Sequence, residues 1–164
     1  MAIESDSYID YPALRAKFDS NRFSSGRRAD LRKAATPEDL LLRPAYYALM
    51  GSRTKDCWLR VAFLIPWIKH RKGAGGLGKA LAKAGADEKR LFQVLRSHAP
   101  NDLIQLRRLV QHTEPVADWQ YVGKMLFWWR DQHDLSHRML LEQFYTTASE
   151  GEPYTESNNN FEKE

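Results

Sequence analysis

Apolar positions recur at three- and four-residue intervals through most of this chain, the spacing that gathers side chains on one face of an α-helix. Leu14 and Phe18 stand four apart and predict a first helix over 11–19; a second fits 27–35. Thr36-Pro37-Glu38-Asp39 has the order of a helix start: a capping hydroxyl, a proline in the first turn, and acids where the helix dipole favours them. Pro44 opens a short helix over 45–50 that Gly51 stops. A longer helix runs from about Thr54 and is kinked or ended near Pro66.

The run Gly73-Ala74-Gly75-Gly76 is the clearest break, and its composition is that of a flexible linker. Beyond it a short helix over 77–84 closes at Gly85, and Asp87 caps a helix over 88–97. Asn101 or Asp102 caps the next, to about His112. Pro115 starts another through Trp119, Met125 and Trp129. Asp134 or Ser136 starts the last, with Met139, Leu140, Phe144 and Tyr145 on its apolar side. No segment alternates with period two for long enough to argue a strand, and there is no internal repeat. The expected fold is all-α, a compact helical bundle over 1–149. It is one unit or two packed sub-bundles, roughly 8–84 and 87–149. Residues 150–164 are Gly-, Pro-, Ser-, Asn- and Glu-rich, bury too little to order themselves, and are expected to form a disordered acidic tail.

Composition supports a folded chain: 43% of its 164 residues are hydrophobic and 12% aromatic. Cys57 is the single cysteine and sits in an apolar run, so it reads as a small hydrophobe in a reducing compartment. The acidic start MAIESDSYIDY is not a signal peptide, and the longest apolar run, 61–68, contains Pro66 and is too short to span a bilayer. A soluble, cytoplasmic protein with no membrane partner is expected.

Charge changes the picture most. Residues 53–108 hold thirteen Lys or Arg against four acids, a surplus of +9, although the whole chain carries only +4. The tail from 150 nets −4. Such a surplus on a folded unit is an electrostatic footprint for a polyanion.

The candidates for other chemistry are weak. Gly73-Ala74-Gly75-Gly76-Leu77-Gly78-Lys79-Ala80 nearly matches the phosphate loop G-x-x-x-x-G-K-[ST], but Ala80 replaces the magnesium-holding hydroxyl and no apolar strand precedes it. His133 and His137 are four apart, yet the expected helix start falls between them and no third metal ligand has a set place. No Ser or Cys stands in a triad context. No catalytic residue, metal or cofactor is expected. Trp119, Trp128 and Trp129 are of the type that stacks on bases, but core packing explains them better, with one of the adjacent pair 128 and 129 turned to a partner.

The basic residues can be placed on helix faces. At about 100° per residue, Leu103, Leu106 and Val110 form one stripe. Arg107 lies at its edge, open to a structural role or a phosphate contact, while Arg108 points to the polar side. In the preceding helix Lys89 and Arg96 share a face opposite Leu91 and Leu95.

The block Leu77-Gly78-Lys79-Ala80-Leu81, followed by Lys89-Arg90-Leu91-Phe92-Gln93-Val94-Leu95-Arg96 and Gln105-Leu106-Arg107-Arg108-Leu109, then Glu114-Pro115-Val116 and Asp118-Trp119, resembles the CasB family. Leu31-Arg32-Lys33 and Pro44-Ala45-Tyr46-Tyr47 add to the likeness, which spans roughly residues 10–148. That family is the small subunit of the type I-E CRISPR surveillance complex, Cascade. The resemblance implies an all-helical, non-enzymatic subunit of antiviral defence. It implies two copies beside the crRNA-bearing backbone filament and the large subunit, supporting guide RNA and target DNA and holding the displaced strand of the R-loop. By matching position it implicates Lys33, Arg53, Lys72, Arg96 and Arg108. Charge and helix placement add Lys79, Lys89, Arg90 and Arg107 as nucleic-acid-binding candidates. Lys33 stands where the family often has Arg, and His98 and Ala99 stand where a further basic residue is expected. The rival expectation is a free-standing DNA-binding regulator of helix-turn-helix type, permitted by the short turn at 97–101.

Overall fold

A computed structural model describes residues 9–130 and 133–151. The expected acidic tail lies outside the described residues apart from Glu150 and Gly151, which end the last helix rather than begin a tail.

Helix α1 (Tyr11–Asp19) has the predicted bounds, because the Asp10 carboxylate accepts from Ala13 N at 3.1 Å and Pro12 sits in the first turn. Helix α2 (Ser25–Arg32) starts two residues earlier than predicted, since Ser24 Oγ accepts from Arg27 N. The Thr36 segment is not an α-helix start but a 3-10 turn (Glu38–Leu42), with Thr36 Oγ1 accepting from Asp39 N at 3.2 Å. Helix α3 (Pro44–Met50) stops at Gly51, whose φ of 63° suits glycine. Helix α4 (Asp56–Leu64) is buried from Trp58 to its end, so it lies inside the fold rather than on its surface. A 3-10 turn (Ile65–Trp67) containing Pro66 follows.

Two short strands correct the all-helical expectation locally. Lys69–His70 (β1) pairs in parallel with Val116–Ala117 (β2), Lys69 opposite Val116 and His70 opposite Ala117. A two-residue ladder has no period to display in a sequence. It also moves the helix expected from Pro115: α8 (Trp119–Phe127) begins only after the strand, where the Asp118 carboxylate caps Gln120 N at 3.0 Å. It ends before Trp129. Between the strands run α5 (Leu77–Lys83), α6 (Glu88–Arg96) and α7 (Asn101–Thr113). Asp87 caps α6 as expected. Neither Asn101 nor Asp102 caps α7: Pro100 is at the cap, and Asp102 is buried within the first turn. Helix α9 (His133–Gly151) starts before Asp134 and Ser136.

Helix α5 packs on α9, α6 on α7, and α1 and α4 on α8. Two glycines permit the close approaches. A Cβ at Gly78 would meet the Leu140 carbonyl at 2.2 Å, and one at Gly123 would meet the Tyr11 ring at 2.2 Å. Gly78, which the sequence offers as part of a phosphate loop, is therefore a packing glycine. The hydrophobic core is one cluster from Tyr11 to Phe144, with Trp119 and Trp129 fully buried in it. These two tryptophans are core residues, and Trp128 is the half-buried member of the adjacent pair.

Candidate nucleic-acid interface

Several arginines are turned inward. Arg15 is 8% exposed and donates to the carbonyls of Ile65 and Ile68, at 2.5 and 2.9 Å. Arg60, 5% exposed, donates from Nε to Leu126 O at 2.7 Å and from Nη2 to Phe127 O, joining α4 to the end of α8. Its guanidinium adds charge-assisted donors to the last carbonyls of α8, where Leu126 O also accepts from Trp129 N at 3.3 Å. Arg107 donates to the carbonyls of Ala34 and Ala35 and lies 4.5 Å from the Phe63 ring centroid. Burial, together with the neighbouring Arg108 charge, pushes the Arg107 guanidinium below its ordinary pKa. Half-buried, it makes the contacts of a structural residue, one of the two roles its place on the α7 wheel leaves open. Asp102 anchors a further buried cluster, accepting from Trp129 Nε1 at 2.9 Å and from both terminal nitrogens of Arg130 at 3.3 and 3.2 Å.

The remaining sequence candidates point outward. Lys33, Arg53, Lys72, Lys89, Arg90, Arg96 and Arg108 are exposed, and among the described residues none forms an ion pair. Lys33 follows α2, and its carbonyl accepts from Arg43. Arg53 lies in the loop before α4 with its guanidinium 5.0 Å from the Trp58 ring centroid, and its carbonyl accepts from the Tyr46 hydroxyl. Lys89 and Arg96 face one open groove between α6 and α7, together with Glu88, Phe92, Gln93, Ser97 and Gln105. Arg96 caps Phe92, at 5.5 Å from the ring centroid.

The face alternation along α7 that makes Arg107 structural is also responsible for exposing Arg108. The stripe Leu103, Leu106 and Val110 is fully buried as expected, widened by Leu109 at 2% exposure. Gln105 is half-buried where α6 packs on α7, and its Oε1 is buried with no hydrogen-bond partner among the described residues.

Lys79 stands apart from these residues. It is half-buried in a second cleft with Gly73, Gly75, Gly76, Asp118, Glu142 and Glu150. The glycine run there is not a flexible linker. Asp118 Oδ2 accepts from Gly73 N at 3.0 Å, Asp118 N donates to Gly75 O at 2.8 Å, and Ala74 is buried. Nor is it suited to a nucleotide, because the Asp118 carboxylate already occupies an amide of the loop and two more acids line the cleft. Burial alone would raise the Asp118 carboxyl, but the Gly73 and Gln120 amides, His70 and Lys72 together hold it below 3.8.

Other chemistry has little to build on. Burial pushes the Cys57 thiol up, away from the reactive thiolate. Among the described residues, no group of three His, Cys, Asp or Glu is placed to hold a metal ion, and no helix is long and apolar enough to cross a membrane. Phe92, Gln93 and Gln105 were not singled out by sequence. The signal available for Phe92 was the four-residue step to Arg96 and the three-residue step from Lys89, which place Lys89, Phe92 and Arg96 on one face.

The chain is similar to the CRISPR system Cascade subunit CasB of Escherichia coli (strain K12), at 32% identity over 166 residues, covering 91% of this chain and 98% of that one. It also matches a chain in the crystal structure of E. coli Cascade bound to a PAM-containing dsDNA target, with a TM-score of 0.77 and 33% identity, covering 87% of this chain and 98% of the other. No family model matches.

Proposed function

The chain belongs to the family of the Cascade subunit CasB, and from that membership we propose that it is a non-catalytic small subunit of a type I-E CRISPR surveillance complex. In that role it assembles in the cytoplasm beside the backbone filament, the large subunit and a second copy of itself. It supports crRNA and target DNA and holds the displaced strand of the R-loop.

The observation that carries this function is the division of the basic residues. The inward arginines are committed to carbonyls, whereas Arg53, Lys72, Lys89, Arg96 and Arg108, with Lys33, present charge to solvent. Lysines and arginines spread over several elements suit a phosphate backbone better than base edges. R-loop formation is close to balanced in energy, so a few backbone contacts tip it, and specificity stays with guide pairing. Arg107 is left out of the track. Lys79 is peripheral to it, because acids line its cleft, whereas Arg90, exposed on α6, stays among the candidates.

Reversing Arg53, Arg96 and Arg108 together to Glu tests the proposal. Target binding by the assembled complex should weaken by at least tenfold while the variant folds and assembles. R-loops of wild-type yield at physiological salt would refute the track. Loss of assembly with unchanged nucleic-acid binding would instead point to a purely structural use of the charge. A defined footprint of the isolated chain on genomic DNA would favour a free-standing regulator.

A further inference from the structure

The groove between α6 and α7 holds more than charge. Its lining combines two cations, Lys89 and Arg96, with one aromatic ring, Phe92, and two amides, Gln93 and Gln105. Its one acid is engaged: Glu88 accepts from the Tyr145 hydroxyl. The Ser97 hydroxyl is likewise committed, donating to Gln93 O at 2.5 Å. The Gln105 side-chain oxygen is buried beneath the groove's open surface, so that residue walls the groove. The volume is about 750 Å³ and the groove is open to solvent, so it has room for a nucleotide without rearrangement of the core behind it.

A groove meant only for a phosphate has no use for a ring. Phe92 could have been buried with Leu91 and Val94, which are fully enclosed, but it stays half-exposed beneath the Arg96 guanidinium. Aromatic rings and guanidinium planes beside backbone-binding cations are how proteins hold unpaired nucleotides, because every base has a π-face. We propose that this groove takes one unpaired nucleotide of the bound strand, its base stacked against the Phe92–Arg96 pair and its phosphate between Lys89 and Arg96. This rests on the strand-binding role proposed above and adds a base contact to it. The contact is indifferent to sequence and selects single strands over duplex, in which bases are already stacked.

The test is titration of the full-length protein with a labelled thirty-nucleotide oligothymidine and with an abasic oligomer of the same length and charge. Wild type should bind the base-bearing strand about tenfold more tightly than the abasic one, the scale of a single stacking contact. Phe92→Leu keeps apolar bulk for the fold but loses the flat ring; it should lose that tenfold and leave abasic binding unchanged. Phe92→Trp should keep or increase it. Oligouridine should show the same loss, and a loss confined to the ribose strand would overturn stacking in favour of a sugar contact. Equal wild-type affinity for both oligomers, or equal weakening of both by Phe92→Leu, also overturns the stacking site. Failure of the phosphate track is a separate result, read from Arg96→Glu: that variant should weaken binding of both oligomers, and no effect on either would sink the track itself.

Discussion

Arg107 and Arg108 are neighbours in one helix and do opposite things. Arg107 belongs to the inner region around α4, where the guanidiniums of Arg15, Arg60 and Arg107 satisfy backbone carbonyls far away in sequence. Arg108 is on the exposed side of α7 and, like Lys89 and Arg96 on α6, presents its charge to solvent. The same residue type is structural in one region and a candidate ligand contact in the other. What separates them is a helical rotation of about 100°, not chemistry. A count of basic residues therefore overstates a binding surface until the inward ones are subtracted.

The contrast breaks most visibly at its buried end. Asp102→Ala removes the acceptor for Trp129 and Arg130, leaving a fully buried indole N–H unpaired. A loss of about 3 kcal/mol in unfolding free energy is expected by denaturant titration. Arg60→Ala strips the donors from the α8 end and should cost about 2–3 kcal/mol in the same assay, without altering the salt slope of nucleic-acid binding. On the outer face the pattern inverts. Arg96→Ala and Arg108→Ala should each leave unfolding within about 0.5 kcal/mol of wild type, as surface substitutions usually do. Each should reduce the slope of log affinity against log salt by about 0.7–0.9, one counterion's worth.

Acid sharpens the comparison from another side. Asp118 pins the glycine run, and its carboxyl is held below 3.8 in the folded protein. A depressed folded-state value means the stability it confers is present above about pH 4 and is lost as pH falls through the folded value. Asp118→Asn should therefore be less stable than wild type at pH 7, and the gap should narrow as pH falls below about 4. A gap that is constant with pH would show that the Asp118 charge does not hold the loop.

How much of this was legible in sequence depended on the range of the interactions. Local signals were readable: the Asp10 and Asp87 caps, the Gly51 and Gly85 stops, and the stripe Leu103, Leu106 and Val110. The β1–β2 ladder was not, because two residues carry no periodicity, and its absence from the reading misplaced the start of α8. The glycine run looked flexible because Asp118, which anchors it, lies more than forty positions away. Arg60 was hidden in an apolar run for the same reason, its acceptor carbonyls being in α8. Arg107 was half legible: its wheel angle placed it at the core's edge, but only the partners at Ala34 and Ala35 decide its role. On the outer face the outward direction of Lys89 and Arg96 could be read, whereas the groove they share with Phe92 and Gln105 needed the packing of α6 on α7.

The central claim is that outward cations hold the strand and inward arginines hold the fold, and Arg107 and Arg108 test it as a pair. Each is changed singly to Ala, and unfolding free energy and single-strand affinity are measured on the same full-length preparations. Arg107→Ala should lose about 1–3 kcal/mol of stability, from two carbonyl contacts and the Phe63 ring, and keep its affinity. Arg108→Ala should keep its stability and bind several-fold more weakly. Affinity lost on Arg107→Ala without destabilisation, or affinity retained on Arg108→Ala, would contradict the account.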